Sequence, residues 1–432
     1  MIATIIIACL TFLGISITMI VFPNFKIKNV QIDTYWIIAL LGAVILLAFS
    51  FAPIKDVFCE LTASTSVNPL KILVLFFSMT VISIYLDEVG FFRYLAKVAT
   101  SKAKGNQYVL FFILYGLTAV LTVFTSNDIV ILTLTPFICF FCKNTKINPL
   151  PYLIGEFAAA NTWSMMLIIG NPTNIYLARS LDINFIEYLK VMWLPTLVTG
   201  LFEMGLIFLI FFRKLNQKME YVEDDFAINS KLDLIIGLVA LFLCLVFLII
   251  SDYIHLEMWL IAASFAVLLI MTVIIIRLIT KKNWNYVTSS LKRLPYQLIP
   301  FVLSMFVIVV ALNKQGISLK IGEFLNKMNP IFSYGIASFI SSNVINNIPT
   351  SVLFSNIILS SETILPMKAT FAAIAGTNIG AFFTPFGALA GIMFTSLIKN
   401  QNIKFTFLDF VKYGSIIAIP TFGVCLLMLY VI

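Results

Sequence analysis

The chain has 432 residues, of which 61% are hydrophobic and only 11% charged, and it carries a single histidine, His255. That composition excludes a soluble globular domain and places the protein in a lipid bilayer. A net charge of +8 would suggest nucleic acid in a soluble protein, but here the cations gather at the ends of apolar runs, which the positive-inside rule explains.

Backbone amides in lipid must pair within the protein, so the spans are expected to be helical. In chain order the reading predicts spans at 2–22, 35–52 and 70–86, a surface segment at 87–106, a re-entrant hairpin at 107–142, a span broken in its middle at 151–178 and a last span at 190–212. A polar linker, 213–232, carries Glu220, Glu223, Asp224 and Asp225. Spans then follow at 233–251, 256–277 and 297–312, with a surface segment at 313–330, a hairpin at 331–360, a broken span at 368–398 and a last span at 410–432. Met1–Ile20 is apolar like a signal sequence but lacks a basic start and a small-residue cleavage site, so it reads as a retained first span.

Two stretches echo each other. Ser78-Met79 through Leu86-Asp87-Glu88-Val89-Gly90 matches Ser304-Met305 through Leu312-Asn313-Lys314-Gln315-Gly316, with Met79 and Met305 226 positions apart, as are Gly90 and Gly316. The hairpin tips, Asn127-Asp128 and Asn346-Asn347, lie 219 apart. The expected fold class is therefore an all-α polytopic membrane protein of two repeats, 1–212 and 233–432, each with five transmembrane helices and one re-entrant hairpin. Five is odd, so the second repeat must be inverted. With both termini outside, 20 of the 28 lysines and arginines fall on the cytoplasmic side, as the positive-inside rule requires of a multi-pass cell-membrane protein.

Inverted repeats with discontinuous helices place a site near the midplane, where freed backbone groups line a cavity. The candidate site residues are Ser126, Asn127 and Asp128 at the first tip, and Asn343, Asn346, Asn347 and Thr350 at the second. The first break supplies Asn161, Thr162, Gly170, Asn171, Pro172, Thr173 and Asn174, and the second Thr377, Asn378, Thr384, Pro385 and Gly387. Proline removes an amide donor and glycine tolerates unusual dihedrals, so these breaks leave carbonyls spare. Asn and Thr add neutral oxygens for a hard cation and donors for an oxyanion; the competing reading is a proline kink with asparagines bonding neighbouring helices. Asp128, ionisable at membrane depth, is the proton-coupling candidate, with a structural role in the hairpin as its alternative. Glu156 and Glu203 rank behind it.

Cys139 and Cys142 lie three apart and would need a third thiolate to hold a soft metal or arsenic(III), so packing is the preferred reading and no metal site is expected. His255 has no metal-ligand spacing around it and reads as an exposed loop residue. No His-Glu-x-x-His, Gly-x-Ser-Gly or paired membrane aspartates mark an intramembrane enzyme. No nucleotide-binding loop is present, so direct ATP drive would require a separate ATPase subunit.

Tyr85-Leu-Asp87-Glu88-Val-Gly90-Phe-Phe92, Ser126-Asn127-Asp128 with Leu-Thr-Pro136, Pro295-Tyr-Gln297, Asn346-Asn347-Ile-Pro349-Thr350 and Thr384-Pro385-Phe-Gly387 resemble the ion-transporter superfamily. Along most of the chain they are similar to the arsenical pump membrane protein family. The resemblance implies two inverted repeats, alternating access, a homodimer and proton-linked efflux of arsenite or antimonite, with no cofactor beyond a bound Na+ or H+. The chain departs from that pattern at Asn161 and Asn378, where the arsenical pumps are expected to carry aspartate. Gly170-Asn-Pro-Thr-Asn174 looks more like the sodium-coupled anion and dicarboxylate branches, although their first tip usually ends in threonine, not in an acid such as Asp128. The expected function is secondary active transport of a small inorganic or organic ion. Arsenite-type efflux leads, with sodium-coupled anion transport, cation/proton antiport or a channel as alternatives.

Overall fold

Helices in this chain begin where the sequence offers a cap. Asn68 accepts from the amides of Leu70 and Lys71 ahead of Pro69, and Asn106 does the same for Tyr108 and Val109. Asn184 with Glu187, and Thr406 with Asp409, form reciprocal capping boxes at the starts of the two last spans. Gly90 and Gly316 take φ of 90° and 68°, left-handed values that turn the chain out of the third span into the surface segment.

The computed structural model describes residues 2–22, 24–27, 30–62, 68–217, 219, 228, 230–251, 253–280, 285–360, 366–401 and 403–432. The chain opens with α1 (Ile2–Val21), a two-stranded antiparallel hairpin of β1 (Asn24–Ile27) and β2 (Val30–Asp33), then α2 (Tyr35–Ala48), α3 (Ile54–Thr62), α4 (Pro69–Glu88) and α5 (Phe91–Ala103). The hairpin arms α6 (Gln107–Phe124) and α7 (Asn127–Asn144) follow, then the split span α8 (Leu150–Trp163) and α9 (Pro172–Arg179), and α10 (Phe185–Leu215). The same order recurs as α11 (Lys231–Ile249), α12 (Met258–Thr280), α13 (Asn285–Lys292), α14 (Leu298–Lys314) and α15 (Ile317–Leu325). It closes with the arms α16 (Pro330–Ile345) and α17 (Asn347–Ser360), the split span α18 (Pro366–Ile379) and α19 (Leu389–Asn400), and α20 (Phe407–Val431). The acids Glu220, Glu223, Asp224 and Asp225 of the expected linker lie outside the described residues.

Among the described residues, α4, α6, α10, α11, α12 and α20 are long and apolar enough to cross a membrane, and α14 with α15, bent by 78°, makes a seventh. Five crossings in each half would draw on shorter elements as well. α1 runs for 20 residues, Ile2–Val21, α2 has 14, and the broken spans are split into short pieces. The hairpin arm α6, expected to dip without crossing, has 18 residues and meets the length of a span. The strand pair is the other departure from an all-helical chain.

Packing interleaves the two series. α2 lies against α14 and α4 against α12; α7 lies against α19 and α17 against α9; α10 lies against α20. Lipid gives little hydrophobic drive for helix association, so close approach of small residues matters. A Cβ on Gly376 of α18 would sit 2.1 Å from Ser338 Oγ and 2.5 Å from the Gly335 carbonyl of α16, so only glycine allows that contact. Ion pairs tie the series together at their ends: Lys71 with Glu257 at 2.6 Å, Arg293 with Asp87 at 2.7 Å and Glu88 at 2.6 Å, and Lys314 with Asp56.

Candidate transport site

The two arms of the first hairpin, α6 and α7, run in opposite directions beside α8. Tyr152 at the start of α8 donates to Gln107 Oε1 at the start of α6 at 2.9 Å, so these two helices run side by side in the same direction. α7 runs antiparallel to α8, because Thr135 donates to Glu156 at 2.9 Å while Asn127, at the tip, donates to Asn161 at 3.3 Å. The tip therefore ends level with the C-terminus of α8, where the first broken span stops being helical.

The second hairpin repeats this relation. Asn343 Nδ2 donates to the Gly380 carbonyl at 3.0 Å and its Oδ1 accepts from Thr384 Oγ1 at 2.7 Å. Asn346 donates to the Phe386 carbonyl at 3.1 Å, and the Asn347 amide donates to the Gly387 carbonyl at 2.9 Å. Asn346 has φ of 74°, a left-handed value that a non-glycine residue holds only when its surroundings fix it, here the break in α18–α19. Thr350 donates to the Asn346 carbonyl at 2.8 Å and steadies the turn.

The two breaks then meet each other. Asn378, at the end of α18, accepts from Ser164 Oγ at 2.9 Å and Asn171 Nδ2 at 3.0 Å, and donates to Asn174 Oδ1 at 2.7 Å. Asn174 also donates to the carbonyls of Ser164 at 2.9 Å and Leu167 at 3.1 Å, the unpaired acceptors that a broken helix exposes. Asn171 caps α9 through the Thr173 amide, and Pro172 occupies the first helical position, where no amide is needed. Gly170 is required because a Cβ there would lie 2.2 Å from the Ser164 carbonyl oxygen.

The structure thus brings Asn127, Asn161, Asn171, Asn174 and Asn378 into one hydrogen-bonded junction, with Asn343, Asn346, Asn347, Thr384 and Gly387 joined around the second break. Thr377 is turned back to the Ile374 carbonyl of its own helix, and Pro385 is buried in the second break. Two polar groups of the first tip are left over among the described residues. Ser126 Oγ is buried with no partner, and the half-buried Asp128 carboxylate receives no hydrogen bond, its amide donating to Asn127 Oδ1.

Sequence reasoning missed three contributors. Ser164 bridges the two breaks, and a serine one turn past Asn161 was its only signal. Tyr115 and Trp163 join Glu203, a carboxylate buried on α10 that also accepts from Thr162 of the first break. Cys139 and Cys142 are buried, and among the described residues no group of three His, Cys, Asp or Glu side chains is arranged to hold a metal. His255 is exposed in its loop, as expected.

Helices of membrane-spanning length, interleaved around a buried polar junction of helix breaks, define a polytopic membrane transporter. The chain belongs to the citrate transporter family, whose sequence profile matches residues 33–375. It is 25% identical over 368 residues to an arsenical pump membrane protein of Escherichia coli, with 81% of this chain and 84% of the relative aligned. A putative arsenical pump membrane protein of Bacillus subtilis is 23% identical, with 79% and 82% aligned. A 46 kDa membrane protein of Mycobacterium leprae is 22% identical, with 91% and 94% aligned. The crystal structure of the Alcanivorax borkumensis YdaH transporter shares the fold, with a TM-score of 0.55 at 13% identity, covering 99% of this chain and 96% of that one.

Proposed function

We propose that this protein is a secondary active transporter that exports arsenite or antimonite as the neutral oxyacid, coupled to the proton gradient or membrane potential. The observation that carries the substrate reading is the chemistry of the junction. Its hydrogen-bonding groups are carboxamides, hydroxyls and backbone carbonyls, and no lysine or arginine bonds to them among the described residues. A citrate-like polyanion would have to enter without a cationic partner, which is costly away from water. Arsenous acid is uncharged at physiological pH and presents hydroxyls that match amide donors and acceptors. Among the described residues no three thiols come together, which favours recognition of the oxyacid through oxygen. The relatives named arsenical pump membrane proteins point the same way.

A sodium-coupled anion transporter is the second reading. The neutral oxygens of Asn161, Asn174 and Asn378 suit a hard cation, which would then supply the missing charge for an anion.

The transport cycle proposed is alternating access between two inverted halves, 1–212 and 233–432, joined by a cytoplasmic linker at 213–232. Support comes from the recurring element order and from α10 and α20 running antiparallel, with Lys214 near the end of one bonded to Tyr413 near the start of the other at 3.5 Å. The ion pairs agree with this topology. Lys71–Glu257 and Lys314–Asp56 would lie outside, and Arg293 with Asp87 and Glu88 would lie in the cytoplasm, as would Arg277 with Asp233. Both termini are outside in this scheme, a homodimer is the expected assembly, and a partner ATPase is a further option for energising export.

Purified protein in proteoliposomes tests the function. Arsenite uptake into inverted vesicles that follows an imposed proton gradient and ignores sodium supports the proposal. Sodium-dependent citrate or dicarboxylate flux with no arsenite flux overturns it.

A further inference from the structure

We infer that Glu203 is a proton-binding site of the transport cycle, separate from the hairpin tips, which acts on the first helix break through Thr162. The inference rests on the proton-linked reading above and names the residue that would hold the proton.

Glu203 is completely buried on α10, and no cation pairs with it among the described residues. Its neighbours are hydroxyls. Thr162 Oγ1 donates to Oε2, and Tyr115 OH lies 3.1 Å from Oε1. The same tyrosine hydroxyl is 2.8 Å from the Gly200 carbonyl and accepts from Trp163 Nε1 at 3.3 Å.

A phenol has one hydrogen to give, so Tyr115 cannot satisfy the Gly200 carbonyl and a Glu203 carboxylate together. Protonated Glu203 removes the conflict. Its O–H donates to the Tyr115 oxygen, Tyr115 donates to Gly200, and Thr162 donates to the remaining carboxyl oxygen. Loss of the proton to water reverses the choice: Tyr115 turns to the carboxylate, and the Gly200 carbonyl, inside the unbroken helix α10, keeps only the amide of Met204. A single proton taken from water on one side and returned to water on the other balances the step.

The cluster is attached to the transport junction by one turn of helix. Thr162 follows Asn161, which holds the first tip through Asn127, and precedes Ser164, which holds the second break through Asn378. Trp163, between them, is the residue that reaches Tyr115. Rearrangement around Glu203 therefore pulls on the turn where tip and breaks are joined.

Other ionisable groups on the neighbouring helices are placed elsewhere. On α6 the group is Tyr115 itself, with Tyr108 at the helix start; on α8, Glu156 is bonded to Thr135. On α20, Cys425 contacts Thr199, one turn before Glu203, while Asp409, Lys412 and Tyr413 gather near Lys214. Lys214 is 11 residues along α10 from Glu203, or about 16 Å. On α11, Asp233 is held by Arg277, Cys244 meets Met79 of α4, and Lys231 is at the helix start. On α10 itself, Tyr188 donates to the Met165 carbonyl, and Glu187, Lys190 and Arg213 sit towards the helix ends. The matched helix α20 has no acid after Asp409, so the device occurs once per chain.

The test compares wild type with Glu203→Gln, Tyr115→Phe and Asp128→Asn in proteoliposomes. Gradient-driven arsenite transport and arsenite counterflow are measured on the same preparations, together with a pH titration of Trp163 fluorescence, assigned with a Trp163→Phe control. For Glu203→Gln the ratio of gradient-driven transport to counterflow is expected to fall at least tenfold, and the pH-dependent Trp163 signal to disappear. Tyr115→Phe is expected to keep the Trp163 transition but shift its midpoint, and Asp128→Asn to keep that transition unmoved. A Glu203→Gln protein that retains the wild-type ratio and the wild-type titration overturns the inference. A wild type that carries no protons with arsenite but shows a Glu203-dependent Trp163 titration refutes the coupling reading and leaves the proton site standing. A wild type without that titration overturns the site.

Discussion

Asn378→Ala offers a direct measure of what holds the two breaks together. Asn378 makes three bonds to the first break, through Ser164, Asn171 and Asn174, and a fourth to the Ile374 carbonyl of its own helix. Side-chain hydrogen bonds between membrane helices average about 0.6 kcal/mol and reach about 1.7. Losing the three cross-break bonds should therefore cost about 2 kcal/mol, with a ceiling near about 5. Truncation also strips Asn171 Nδ2 of its partner and leaves Asn174 Oδ1 with a 3.5 Å contact to Thr173, which moves the cost upward from the average. Reversible unfolding in mixed micelles reads the stability change. A cycle with Asn171→Ala should show a coupling of about 1 kcal/mol, because the second truncation removes the group that the first left unpaired. Stability within about 0.5 kcal/mol of wild type, with additive single and double mutants, would refute the reasoning.

Gly200→Ala places a Cβ 2.4 Å from the Trp163 ring, so it should shift Trp163 emission, loosen its bond to Tyr115 and destabilise the fold by about 1–3 kcal/mol, read by fluorescence and unfolding. Glu257, outside the spans, has its carboxyl held below the usual 4.5 chiefly by a hydrogen bond from Lys71. A lowered folded pKa means that the pair's contribution is present above the unfolded value and lost as pH falls through the folded one. Glu257→Gln should thus cost at most about 1 kcal/mol at neutral pH, reduced by the half-exposed position, and nothing once the pH is below the folded value; a loss that persists there would contradict the assignment. In a background lacking the native cysteines, Glu257→Cys should react with an impermeant maleimide in intact cells and Arg293→Cys only after permeabilisation. The reverse pattern would overturn the proposed orientation.

Much of the fold was legible because its signals are local. Gly170-Asn-Pro-Thr-Asn174 cannot remain a regular helix, and the structure ends α8 and restarts as α9 across it. The echo between Leu86-Asp87-Glu88 and Leu312-Asn313-Lys314 marked equivalent helix ends, yet their partners could not be read from it. Asp87 and Glu88 meet Arg293, whereas Lys314 meets Asp56, so the same position carries opposite charge. Hydropathy runs straight through Asn161 to Asn174, yet the backbone is split there, as the glycine, proline and asparagines of that stretch led one to expect. The cluster around Glu203 was not legible because it is built with Tyr115, 88 positions earlier in the chain, and Thr162, 41 positions earlier. Sequence alone cannot show which hydroxyls share one proton.

The interleaving of α2 with α14 and of α4 with α12 has a consequence for biogenesis. When the ribosome has finished residue 212, α4 is already inserted but the helix that covers it has not been made. Until α12, α14 and α19 are made, the faces of α4, α2 and α7 that they cover stay open. Two fragments split in the linker and produced together should therefore find each other and regain transport, while either produced alone should be cleared by the cell's proteases.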